Sequence, residues 1–171
     1  MDVKQMSVVK FFAKVNPKLN LKTSLRLRHP LTGLCGIPGA GKTVLCGAIV
    51  ENVLQDSDES IAVAYFFCDY KSRETQQIEV ILGSLAAQIA LQNSRAFEHL
   101  EEYYDELHQK GELENPVETD RLIAVIQEMA SQFGKLYIVV DALDECGVET
   151  YNIAEALKEL VDGAKSINLA N

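Results

Sequence analysis

Two unbroken apolar runs dominate the pattern of hydrophobic and polar positions. Ile61-Ala62-Val63-Ala64-Tyr65-Phe66-Phe67 and Leu136-Tyr137-Ile138-Val139-Val140 lack the alternation of a strand with one wet face. They predict central strands of a parallel sheet that is covered on both sides. Helical periodicity fills much of the interval between them. Residues 76–92 place Ile78, Ile81, Leu82, Leu85 and Ile89 on one stripe, with Thr75 as the expected cap. Residues 94–109 predict a second helix whose charges, Glu98, Glu101, Glu102, Asp105 and Glu106, read as a solvated face. Tyr103 and Tyr104 sit among those charges and are expected to pack. Further helices are predicted at 44–55, 119–133 and 150–164, with a loop at 111–116. Strands alternating with helices give an α/β fold built around a parallel sheet.

Residues 3–15 predict one more amphipathic helix, with Val8, Val9, Phe12 and Val15 on one side and Lys4, Lys10 and Lys14 elsewhere. Packing on the domain or on a neighbour is its plain reading. Membrane-surface contact and an import peptide are the alternatives, and Asp2 and the scarcity of Arg and Ser speak against import. Asn16-Pro17 ends that helix, and residues 18–30 read as a basic linker. The expected division is a basic helix and linker over 1–30 and one α/β domain over 31–171.

Composition narrows the function classes. At 171 residues and 47% apolar content the chain is long and greasy enough to bury a sizeable core. The net charge of −9 divides unevenly: residues 1–30 hold seven Lys or Arg and one acid, residues 31–171 nine and 24. An acidic body argues against a nucleic-acid surface, so any attraction for a polyphosphate has to be local. No apolar run reaches transmembrane length and no signal-peptide pattern is present. Cys35, Cys46, Cys68 and Cys146 form no C-x-x-C pair, which favours reduced thiols in a cytoplasmic chain over structural zinc or disulfides.

Local attraction is supplied by Gly36-Ile37-Pro38-Gly39-Ala40-Gly41-Lys42-Thr43, which fits the phosphate-binding loop G-x-x-x-x-G-K-[ST]. Gly36, Gly39 and Gly41 let backbone N–H groups turn inward around phosphates. Lys42 is expected to reach the terminal phosphates, and the Thr43 hydroxyl to ligate Mg²⁺. The helix that begins at Val44 would point its positive end at the anion. Leu31 to Cys35 should be the strand feeding this loop, although Thr32-Gly33 interrupts it. The second half of the site is Asp141, which follows the apolar run at 136–140. Ligands of open parallel sheets sit beyond the carboxyl ends of the strands, so Asp141 is placed to hold Mg²⁺, usually through water. Asp144 and Glu145 follow, either as functional acids or as a helix-start pair favoured by the dipole.

With these stretches in view, the chain resembles the NACHT domain of the signal-transducing P-loop NTPases called STAND, most closely the fungal nephrocystin-3-like N-terminal branch. The likeness rests on Cys-Gly-Ile-Pro-Gly-Ala-Gly-Lys-Thr at 35–43, Ala-Tyr-Phe-Phe-Cys-Asp-Tyr at 64–70, Ile-Leu-Gly-Ser-Leu-Ala at 81–86, and Tyr-Ile-Val-Val-Asp-Ala-Leu-Asp-Glu-Cys at 137–146. It implies a three-layer P-loop NTPase core that binds ATP or ADP with Mg²⁺ through residues 36–44, with Thr43 and Asp141 on the metal. It also implies that Glu145, with Asp144 as the alternative, orients the attacking water. Nucleotide then acts as a switch for self-association or for association with full-length NACHT proteins, and hydrolysis is slow or absent. The rivals are a non-hydrolysing interaction module, a fragment without activity and, further off, a small-molecule kinase.

The resemblance further implies a sensor strand between the phosphate-loop strand and the strand ending at Asp141, beginning where residues 166–171 are all that remains. The sheet is therefore expected to be incomplete at the C-terminus, with Ile167-Asn168-Leu169 the first candidate to fill the slot.

Overall fold

The two apolar runs pair with each other. A computed structural model describes residues 2–16, 18, 21–22, 40–56, 60–69, 71–108, 116–164 and 167–170. Its described elements run in the order α1 (Val3–Phe12), α2 (Ala40–Asp56), β1 (Ile61–Phe67), α3 (Ile78–Ala90), α4 (Ser94–His108), α5 (Thr119–Ala130), β2 (Lys135–Asp141), α6 (Thr150–Asp162) and β3 (Ile167–Ala170). Short 3-10 turns cover Arg73–Gln76 and Leu143–Glu149. The described strands form one parallel sheet in the order β1-β2-β3. Register runs from Ile61 opposite Lys135 to Phe67 opposite Asp141. On the other side of β2, Leu136 faces Ile167 and Val139 faces Ala170. The C-terminal tail thus pairs beside the strand that ends at Asp141, as anticipated for Ile167-Asn168-Leu169. The strand expected at 31–35, the loop residues 36–39 and most of the loop at 111–116 lie outside the described residues.

Strand geometry explains why both runs are apolar throughout. Successive side chains point to opposite faces. Ala62, Ala64 and Phe66 of β1 join Leu136, Ile138 and Val140 of β2 in the larger core cluster, beneath α1, α3, α4, α5 and α6. Val63, Tyr65 and Phe67, with Val139, face the other way and pack with Val50, Cys46, Ile49 and Val53 of α2. Both faces of the sheet are covered by helices.

Several element starts differ from the sequence reading. The helix expected at 44–55 begins at Ala40, which puts Lys42 and Thr43 in its first turn. Thr75 does not cap α3. Its hydroxyl accepts from Asp69 N–H at 3.0 Å and lies 3.0 Å from Asp69 O and 2.8 Å from Ser72 O, so it fastens the turn that follows β1. The 3-10 turn intervenes, and Gln77 occupies the cap position without a side-chain bond. α5 stops at Ala130, short of the expected Phe133, because Gly134 N–H bonds Ser60 O at 2.8 Å and turns the chain into β2.

The N-terminal helix packs on the domain. Its capping box, in which Asp2 and Gln5 satisfy each other's backbone, fixes the start. Val8 and Phe12 are buried. Phe12 stacks on Tyr103 of α4 at 5.8 Å, and Phe11 meets Tyr104 edge-on at 5.4 Å. Both tyrosines therefore pack, as expected. The acidic face of α4 is only partly left to solvent. Lys4 reaches Asp105 at 2.9 Å and Glu101 at 3.3 Å, while Arg121 of α5 meets Glu106 at 3.1 Å. Such exposed pairs orient helices more than they stabilise them.

Candidate functional site

β2 delivers Asp141 to the carboxyl end of the sheet, which is where the sequence places it. The last apolar residues of the strand are buried on both faces, so the acid inherits their burial and is only 4% exposed. Its backbone is held by the neighbouring segment, since Cys68 N–H donates to Asp141 O at 3.0 Å. Its side chain is not fully held. Among the described residues no donor reaches Asp141 Oδ2, the one buried side-chain polar atom left without a partner. Buried polar groups are nearly always satisfied, so an unpaired one asks for a bound partner or a functional role.

Neighbouring side chains show which element faces the carboxylate. The thiol of Cys46, on α2, lies within hydrogen-bonding reach of Asp141. Burial pushes this thiol up to about 12, and the Asp141 carboxylate pushes the same way. Thr43, half-buried, precedes Cys46 by three residues, less than one helical turn. The structure thus brings α2, at Cys46, against the end of β2. Gly36, Ile37, Pro38 and Gly39 lie outside the described residues, and so do the side chains of Ala40, Lys42 and Val44. Gly41 falls in the first turn of α2.

Asp144 and Glu145 follow directly after β2. The chain leaves β2 through Ala142 at φ 58°, ψ 38°, a left-handed conformation that a Cβ makes costly and that clusters at functional sites. It then enters the turn at Leu143–Glu149, where Asp144 and Glu145 are both exposed. Glu145 N–H closes back on Ala142 O at 2.9 Å, and Thr150 Oγ1 donates to Leu143 O at 3.1 Å. A second positive φ, 60° at Gly147, turns the chain into α6. A Cβ at Gly147 would meet nothing within 4 Å, so glycine serves the positive φ there rather than close packing.

Sequence reasoning missed the thiols around this carboxylate. Cys68 and Cys146 are both buried and neighbour each other. Burial raises the Cys68 thiol far above its ordinary range, with Cys146, Asp141 and Glu145 adding to the rise. Burial also raises Cys146. The described cysteines are free, and thiols held protonated this way are poor nucleophiles. The signal available in the sequence was the spacing of Cys46, three residues after Thr43.

A magnesium–nucleotide pair fits the residues present. The described residues contain no cluster of three or more His, Cys, Asp or Glu able to cage a metal alone. Mg²⁺ does not require one, because it is ordinarily held by one or two protein oxygens together with phosphates and water. One bare, buried carboxylate oxygen beside the helix that carries Thr43 suits that coordination. Elsewhere, a groove of about 720 Å³ between α5 and α6 is rimmed by Asp120, Glu155, Glu159 and Asp162. That acidic rim is hostile to a polyphosphate. No described helix is long and apolar enough to cross a membrane.

Neither a curated protein nor a solved structure gives a match. The family described as nephrocystin 3, N-terminal, matches residues 20–170, which takes in every described element except α1, and the chain belongs to that family.

Proposed function

We propose that this chain is a NACHT-type P-loop NTPase core that binds ATP or ADP with Mg²⁺ and works as a cytoplasmic, nucleotide-dependent assembly switch. The observation that carries the reading is Asp141 Oδ2, buried at the end of β2 with no donor among the described residues, on a side chain that neighbours Cys46 of the helix beginning in Ala-Gly-Lys-Thr. Thr43 and Asp141 would hold Mg²⁺, and residues 36–44 would hold the phosphates with Lys42 on the terminal ones. The metal neutralises phosphate charge. The contribution of the chain is placement, which is most of what phosphoryl transfer asks of a protein. Protonated thiols around Asp141 favour this binding role over cysteine chemistry.

Mg²⁺-ADP or Mg²⁺-ATP is expected to stabilise the folded chain. At 100 times the dissociation constant the gain is about 2.7 kcal/mol, or roughly 5–10 °C for a domain of this size. Thermal unfolding of the Lys42→Ala variant should show little of that shift. Equal shifts in both chains would place the nucleotide elsewhere.

Hydrolysis should be slow, as the resemblance implies. Glu145→Gln is expected to lower the rate of phosphate release while leaving nucleotide affinity within about twofold. An unchanged rate would remove Glu145 from the water-orienting role. Phosphorylation of an added hydroxyl acceptor in place of hydrolysis would favour the kinase rival.

A further inference from the structure

An edge strand presents a row of backbone N–H and C=O groups on which another strand can form. β1 stands at one edge of the described sheet, and β2 takes its other side. On the outer side the groups of Val63 and Tyr65 are met by glutamine side chains. Val63 N–H donates to Gln92 Oε1 at 3.0 Å, and Val63 O accepts from Gln92 Nε2 at 2.8 Å. Tyr65 N–H donates to Gln88 Oε1 at 3.2 Å, and Tyr65 O accepts from Gln88 Nε2 at 2.8 Å. Each carboxamide offers one donor and one acceptor to one residue, as the backbone of an added strand does.

Helix geometry makes the match possible. Four residues of helix rise about 6 Å, and two residues of strand about 6.6 Å. Two glutamines four apart therefore reach two strand residues that are two apart. The second hydrogen of each amide is also used. Gln88 Nε2 lies 3.1 Å from Ser84 O, and Gln92 Nε2 lies 2.8 Å from Gln88 O, so both side chains are tied to their own backbone.

We propose that the β1 edge is a strand-docking surface held shut in cis by Gln88 and Gln92, and that the partner they exclude is β1 of a second copy. Two identical edges brought together by a two-fold axis run antiparallel and are self-complementary. The strand itself suits that pairing. Ile-Ala-Val-Ala-Tyr-Phe-Phe has no charge, proline or glycine, the composition of a segment that pairs with itself. The glutamines supply by hydrogen bonding the protection that edge strands otherwise take from lysine or proline.

The test uses the full chain carrying Gln88→Ala and Gln92→Ala together, followed by light scattering and by amide exchange at Val63 and Tyr65. The expected result is at least tenfold tighter self-association than in the unaltered chain. Both amides should exchange fast when dilute and become protected again as concentration rises. A Gln88→Glu, Gln92→Glu chain loses the donors to the strand carbonyls but sets charge along the edge. It should keep the unaltered mass. Circular dichroism establishes that each variant is folded, and Gln92→Ala alone, at an exposed position, serves if the double alanine chain is not. The proposal is overturned if the folded alanine variant keeps the unaltered mass and both amides exchange fast at every concentration. It is equally overturned if the glutamate chain associates as strongly, since loss of stability would then be the cause.

Discussion

Replacing Asp141 by asparagine is expected to stabilise the nucleotide-free chain and to abolish its response to magnesium. The carboxylate is 4% exposed, and Oδ2 finds no donor among the described residues. A buried polar group left unpaired costs about 1–3 kcal/mol, and a charged one more. Asparagine has nearly the same shape and keeps an oxygen for the Cys46 thiol, while the charge is gone. The free chain should therefore gain on the order of 1–3 kcal/mol in urea unfolding, roughly 2–10 °C in melting temperature. The same substitution withdraws the anionic oxygen that the metal would use, so Mg²⁺ should no longer strengthen the stabilisation by ADP. Unfolding with ADP, in the presence of Mg²⁺ or of a chelator, separates the two effects. A variant that loses stability and keeps the magnesium response would show that Asp141 is structural.

Sites of this kind are where local rules of folding are broken, and here two breaks are adjacent in sequence. Asp141 buries a carboxyl oxygen with no donor among the described residues, and Ala142 adopts a left-handed backbone at a cost of about 1–2 kcal/mol. Neither improves the sheet. Together they let the strand end in a bare oxygen under a tight turn, and binding of a cation is the event that would offset their cost.

What could be read in the sequence was whatever depends on one repeating pattern. β1 and β2 were legible because burial on both faces leaves no polar position in the run. Asp141 was legible because an acid that ends an apolar strand follows, later in the chain, a glycine-rich Lys-Thr loop. Pairing by the tail at Ile167-Asn168-Leu169 came from the resemblance, which left a slot beside the strand that ends at Asp141. Features that depend on pairing across the chain were not. Thr75 looked like a helix cap because threonine before an apolar helix usually is one; that it binds Asp69 and Ser72 instead is set by the turn after β1. Gln88 and Gln92 lie in the segment read as a helix at 76–92 and carry no signal of their own there. Their spacing of four residues was the available clue, but only a known neighbouring strand gives it meaning. For Cys46 the clue was its spacing of three residues from Thr43, which gains meaning only once α2 is seen to approach the end of β2.

The N-terminal helix should prove to be part of the domain rather than an appendage, and removing its anchor should be the most damaging single change outside the sheet. The sequence separates residues 1–30 from the α/β domain by charge and by Asn16-Pro17, and the family match begins only at residue 20. Packing erases that border. Phe12 is 3% exposed and stacked on Tyr103, and Val8 is fully buried in the same cluster as α3, α4 and α5. Contact with α3 is so close that a Cβ built on Gly83 would lie 2.6 Å from Phe12 O, which no backbone tolerates without moving. Phe12→Ala is expected to cost about 3–5 kcal/mol, and Gly83→Ala, by pushing α1 outward, about 1–3 kcal/mol. Both act by loosening one helix, so the double variant should lose less than the two added together. Trimming the chain to residues 20–170 should cost at least as much as Phe12→Ala, although the whole family match is retained. Urea unfolding of the four chains measures these differences. Equal stability of the trimmed and full chains would show that α1 contributes nothing to the core it touches.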